Sequence, residues 1–130
     1  MKTTALIVED NQALSEAFTI ALSDIIGFDT VTLNDGQAAL TFLQRQRPDF
    51  LLLDLHLPNV SGREILDYLS QYPAPHQPVV LIVTADVLLG EEILQNFTLV
   101  RKALFKPFTL TQLAGTVQEL AVLPHASIAQ

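Results

Sequence analysis

The 130-residue chain has no cysteine and no tryptophan, one methionine, and seven basic residues against fourteen acidic ones. Without cysteine there is no disulfide scaffold to hold the fold. The shortage of lysine and arginine leaves a formal net charge of -7, which argues against direct nucleic-acid binding, because a phosphate backbone needs a basic footprint. No apolar stretch approaches the ~20 residues of a membrane span, and the opening "MKTTALIVED" lacks a signal-peptide core. Internal repeats, a Gly/Ser linker and long charge runs are also missing. What remains is 49% apolar residues, which excludes disorder and suits one domain with a real core. The expectation is a soluble cytoplasmic protein that does not meet membrane or nucleic acid directly.

Five short apolar runs alternate with five helical patterns, which predicts a parallel sheet with helices on both faces. The predicted strands are Ala5 to Val8, Thr30 to Leu33, Asp49 to Leu53, Val79 to Thr84 and a short fifth, Ala103 to Phe105. The first helix carries Leu14, Ala17, Phe18, Ala21, Leu22 and Ile25 at helical spacing and stops at Gly27. Asn34 and Asp35 cap the second helix, and Ile65, Leu66 and Leu69 mark the third. Val87 to Asn96 is the fourth. "TLTQ", from Thr109 to Gln112, has capping-box spacing and opens the last helix, with Leu110, Leu113, Val117 and Leu120 turned inward. The expected division is a domain over 1–123 and a frayed tail over 124–130.

"LLLDLHLPNVSG", from Leu51 to Gly62, delivers a carboxylate at the end of a strand that is apolar throughout. Open α/β sheets gather their ligands at the carboxyl edge of the strands. That edge receives Glu9 and Asp10 after the first strand, Asp54 after the third, Thr84 at the end of the fourth and Lys106 after the fifth. Clustered carboxylates repel one another unless a cation is present. Hard oxygen ligands that leave room for water suit magnesium. A cation that neutralises the cluster frees one carboxylate to attack phosphorus, and Lys106 and Thr84 are placed to hold phosphoryl oxygens.

The chain resembles the receiver domain of response regulators of two-component signalling systems, the chemotaxis-regulator-like fold. The resemblance rests on "ED" at Glu9-Asp10, "DLHLPNVSG" with Asp54, "TA" at Thr84-Ala85 and "KPF" at Lys106 to Phe108. The spacings match as well: 44 residues from Asp10 to Asp54, 30 to Thr84 and 22 to Lys106. It covers roughly residues 4 to 121 and implies a flavodoxin-like α/β fold, a five-stranded parallel sheet of order 2-1-3-4-5 flanked by five helices. By the same resemblance Asp54 accepts a phosphoryl group from the phosphohistidine of a sensor histidine kinase or phosphotransfer protein. Asp10 and Asp54 bind Mg2+ directly with the backbone carbonyl of His56, and Glu9 acts through water. Thr84 and Lys106 contact the phosphoryl group, and the Lys106-Pro107 bond is cis. The protein would be a signalling module, not an enzyme beyond its own phosphotransfer and slow autodephosphorylation. Its output would be docking to a downstream protein target or effector domain, or a homodimer through the fourth helix, fifth strand and fifth helix.

The sequence departs from the family pattern in two places. Ala103 stands three residues before Lys106, where an aromatic that rotates on activation is common, and Leu99-Val100 replaces a small pair before the fifth strand. Two other readings stand beside the main one. One is a receiver-like interaction domain that works without phosphorylation. The other is a small hydrolase with Asp54 as nucleophile, but haloacid-dehalogenase-like phosphatases place a second aspartate where this chain has His56. The apolar residues Val87, Leu88, Leu89, Ile93, Leu94 and Phe97 exceed one narrow helical stripe. Some of them, with Ala103, should form an exposed patch. The His56 side chain is expected to face solvent, and His76 and His125 have no visible ligand partners.

Overall fold

The computed structural model describes residues 2–121. Its elements alternate throughout: β1 (Thr4–Val8), α1 (Gln12–Thr19), β2 (Asp29–Leu33), α2 (Gly36–Arg45), β3 (Phe50–Asp54), α3 (Gly62–Leu69), β4 (Val79–Thr84), α4 (Val87–Asn96), β5 (Val100–Phe105) and α5 (Leu110–Ala121). All strand pairs are parallel, in the order β2-β1-β3-β4-β5. Parallel pairing needs a crossover after each strand, which the helices provide.

Successive side chains point to opposite faces of a strand, so each buried strand supplies two layers. Leu6, Val8, Leu51, Leu53, Val80 and Ile82 face α2, α3 and α4 through Leu43, Ile65, Leu66 and Ile93. Ala5, Ile7, Phe50, Leu52, Leu81 and Val83 face α1, the helical turns that continue it and α5 through Phe18, Leu22, Leu113 and Val117. Covering both faces explains why β3 reads as an unbroken apolar run. Each fully buried leucine or isoleucine contributes about 1.5–3 kcal/mol relative to exposure.

The helix starts follow the caps read from sequence. Asp35 accepts from the Ala38 N–H at 2.7 Å. Thr109 and Gln112 form the reciprocal capping box at 3.0 and 2.8 Å, and the structure adds a second box at the start of α3, between Ser61 and Glu64. Gly27 ends the first helical stretch with φ +94°, a conformation suited to glycine.

Three local expectations are corrected. The first helical stretch is not uniform: after Thr19 it widens into a π-helical segment, Ile20–Ile26. β5 has six residues rather than three, because its pairing with β4 survives a bulge at Val80/Leu81 while the exposed Arg101 and Lys102 hide the strand pattern. Leu110 sits in the exposed first turn of α5, while Leu113, Val117 and Leu120 are buried as expected. The expected tail, His125 included, lies outside the described residues. Among the described residues no helix is long and apolar enough to cross a membrane.

Candidate functional site at the carboxyl edge of the sheet

β1 and β3 lie side by side with Val8 opposite Leu53, so the residues that end them meet. Glu9, Asp10 and Asp54 each place a carboxylate oxygen within 4.8 Å of the others. Glu9 is 1% exposed and both its oxygens are held: Oε2 accepts from the Asn11 N–H at 3.1 Å and Oε1 from Lys106 Nζ at 2.9 Å. Asp54, the last residue of β3, is also buried. Its Oδ1 accepts from the His56 N–H at 3.2 Å and its Oδ2 from Lys106 Nζ at 3.2 Å. Asp10 is exposed at the rim.

The charges follow from this geometry. Burial pushes the Glu9 carboxyl up to about 7, against the pull of Lys106 and the Asn11 N–H, and the Asp54 charge adds to the rise. Burial also works against the Lys106 ammonium, but its hydrogen bond to Glu9 and the Asp54 charge outweigh that and hold it above its ordinary range. One lysine therefore faces two buried carboxylates, with a third alongside. The donor set is all oxygen with one member open to water, which fits a small hard divalent cation.

β4 and β5 complete the edge. Thr84 is buried at the end of β4, and its Oγ1 accepts from the Asp86 N–H at 3.0 Å. The Lys106 N–H donates to the Thr84 carbonyl at 2.9 Å, which ties the lysine's backbone to β4. The Lys106-Pro107 peptide is cis, as expected. The loop after Asp54 is packed backbone to backbone. The Gly62 N–H donates to the Leu55 carbonyl at 3.1 Å and the Gly36 N–H to the Pro58 carbonyl at 3.1 Å. A β-carbon on Gly36 would fall on the Val60 carbonyl oxygen.

The sequence resemblance implies Glu9, Asp10, Asp54, Thr84 and Lys106 at one site, and the lysine shared between Asp54 and Glu9 is an addition of the structure. The sequence model described as the response regulator receiver domain matches residues 5–118. The chain belongs to the response regulator receiver family. The DNA-binding response regulator MtrA of Mycolicibacterium smegmatis is 38% identical over 96 residues, 71% of this chain and 41% of MtrA. The polar-differentiation response regulator DivK of Brucella anthropi is 34% identical over 92 residues, covering 71% of this chain and 74% of DivK. The receiver domain (CheY-like) of Methylobacillus flagellatus superposes with a TM-score of 0.76 at 29% identity, covering 92% of this chain and 99% of that structure. The chain therefore spans about two fifths of the length of MtrA.

All five predicted site side chains of this receiver meet at one edge. The sequence reading passed over four further residues. Asp86 caps α4 through the Leu89 N–H at 3.0 Å and lies 3.4 Å from the ring of His56. The His56 ring is therefore exposed, as expected, but not alone. Gly36, Gly90 and Phe105 were passed over as well. Their importance lies in what touches them, and no spacing rule reports a contact.

The expected α4 patch is smaller than the residue count suggested. Ile93 and Phe97 are buried, and Leu89, Leu94 and Ala103 pack against the core layer under α2, α3 and α4. Val87 and Leu88 remain exposed, Leu88 at 81%, with Leu110 exposed on α5. α4 is thus wide on its buried side and apolar outward only at its first turn.

Proposed function

We propose that this receiver takes a phosphoryl group on Asp54 from the phosphohistidine of a sensor kinase or phosphotransfer protein. The observation that carries the reading is the Asp54 carboxylate itself. It is the last residue of a buried strand, with one oxygen 3.2 Å from Lys106 Nζ and a loop, not a helix, beyond it. In the transfer an Asp54 oxygen forms the new O–P bond, the P–N bond to the donor imidazole breaks, and the imidazole leaves with the bonding pair and takes up a proton. Lys106 pairs with the developing charge, and Thr84 donates its hydroxyl to a phosphoryl oxygen.

The bound cation in this reading is Mg2+, held by Asp10, Asp54 and the His56 carbonyl, with Glu9 acting through water. When bound, it neutralises the carboxylates and draws charge from the phosphoryl oxygens. The family relationship and the acid-only cluster support this choice. The domain acts as a signalling device in the cytoplasm and does not itself contact membrane or nucleic acid. Its output is docking to a protein target or to an effector domain. MtrA, named as DNA-binding, matches this chain over 41% of its own length. Self-association through α4, β5 and α5 would place Val87, Leu88 and Leu110 at the contact, and Leu88→Asp, not a change at the inward Leu89, is the substitution that tests it.

Incubation with phosphoramidate and magnesium followed by intact mass tests the assignment. One phosphoryl group should add to the wild type and none to Asp54→Asn. An adduct that persists in Asp54→Asn refutes the assignment, and no adduct on the wild type would favour the phosphorylation-independent interaction domain.

A further inference from the structure

Gly90 is buried in the middle of α4, where an ordinary helix would carry alanine or something larger. A β-carbon at Gly90 would stand 2.6 Å from Cε1 and 3.3 Å from Cζ of Phe105, and 3.1 Å from Cγ2 of Thr84. The α4 backbone therefore rests on the Phe105 ring and the Thr84 methyl together. The register places Phe105 directly opposite Thr84 in the β4–β5 pair, so ring and methyl lie side by side under the same point of the α4 backbone. Ala103, two residues earlier and on the same strand face, is too small to join it.

Threonine carries its hydroxyl and methyl on one carbon, and β-branching restricts χ1 to discrete wells. In this structure Oγ1 accepts from the Asp86 N–H while Cγ2 lies toward Gly90 and Phe105. Any turn of χ1 that re-aims the hydroxyl also swings the methyl, which shares with the Phe105 ring the space beside the Gly90 backbone. A close-packed contact of this kind moves in steps rather than yielding gradually.

We propose that Phe105 is the positioning residue that couples the Thr84 hydroxyl to the position of α4, with Gly90 as the surface it presses on. Resting on the reading that Thr84 contacts the phosphoryl group, it assigns the aromatic part of the response to the residue next to Lys106 rather than to Ala103. The Phe105 ring holds the Thr84 methyl in one well, and when the hydroxyl turns to the phosphoryl oxygen the ring passes that movement to α4. The expected movement is therefore a displacement of α4 at Gly90, next to the exposed Val87-Leu88 turn.

The test is a double-mutant cycle read by backbone amide NMR, with and without magnesium and beryllofluoride as the phosphoryl mimic. In the wild type the mimic should shift amides of 54–57 and of 86–96. In Phe105→Ala the shifts at 54–57 should persist and those at 86–96 should collapse, and Phe105→Leu should restore part of them. Gly90→Ala should displace α4 amides before any mimic is added, and Phe105→Ala in the same chain should relieve that displacement by making room. Wild-type α4 shifts in Phe105→Ala overturn the proposal, as does a Gly90→Ala displacement that Phe105→Ala leaves in place. If the mimic fails to shift 54–57 in the wild type, the phosphoacceptor reading falls and this proposal with it. A failure confined to 86–96 overturns this proposal alone.

Discussion

Lys106→Met keeps most of the side chain and removes its charge from between two buried acids. In the wild type Nζ lies 2.9 Å from Glu9 and 3.2 Å from Asp54. At pH 8 Glu9 is ionised, because its carboxyl titrates at about 7 against an ordinary 4.5. Holding it ionised in the fold costs about 3 kcal/mol relative to the unfolded chain, at about 1.4 kcal/mol per pH unit. Without the lysine the ionised form is costlier still, but Glu9 can then keep a proton. Keeping it at pH 8 costs about 1.4 kcal/mol more than the wild-type ionisation, since pH 8 lies one unit above the wild-type titration, so Glu9's share of the loss is capped at about 1.4 kcal/mol. Asp54 loses one charge-assisted hydrogen bond, about another 1–2 kcal/mol. The expected total is about 3 kcal/mol, roughly 10 °C in melting temperature for a domain of this size.

The pH dependence has a definite sign. A carboxyl raised in the folded state makes the metal-free fold bind the extra proton, so this group's contribution to stability falls from about pH 4.5 to about pH 7 and is then level. In Lys106→Met the fall continues past pH 8. The deficit should therefore be smaller at pH 6, where both proteins hold the Glu9 proton, than at pH 8. Magnesium should stabilise Lys106→Met more than the wild type, because the cation supplies the missing charge. Urea unfolding in a chelator at the two pH values, then with magnesium at pH 8, measures all three. A deficit below about 1 kcal/mol at pH 8, or an equal deficit at both pH values, refutes the reasoning.

Gly36→Ala and Gly115→Ala should move stability in opposite directions. The first drives a β-carbon into the Val60 carbonyl and should cost about 3 kcal/mol or more, whereas the second meets nothing within 4 Å on an exposed helical position and should stabilise by about 0.5–1 kcal/mol. Urea midpoints of the same sign would contradict the packing described here. In magnesium titrations Asp10→Asn should lose more affinity than Glu9→Gln, since Asp10 is open at the rim while Glu9 is buried and already paired, and equal losses would oppose that ranking. The two tyrosines should titrate apart. Their hydroxyls are 2.6 Å from each other, and that bond holds Tyr72 below the ordinary phenol range, helped by Arg47, and pushes Tyr68 above it. Phenolate absorbance should show two steps that merge toward one ordinary step in Tyr68→Phe, and a single step in the wild type would refute the pairing.

The sequence by itself determined the class of fold and which polar residues gather at the carboxyl edge of the sheet. Continuous apolar runs such as Leu51 to Leu53 require a strand covered on both faces, and alternation with helical patterns requires parallel strands, so polar residues at strand ends converge without further information. The capping box at Thr109 is local chemistry and was equally legible. Tertiary structure alone decided the rest. The length of β5 rests on its hydrogen bonds to β4, which override the polar look of Arg101 and Lys102. The inward turn of Leu89 and the outward turn of Leu88 depend on how α4 is rotated against the sheet, and six apolar residues in one helix leave that rotation open. The raised Glu9 and the shared Lys106 need burial and distance. Gly36 and Gly90 read as ordinary glycines until the Val60 carbonyl and the Phe105 ring are found against them, because excluded volume is a property of neighbours brought together from far along the chain.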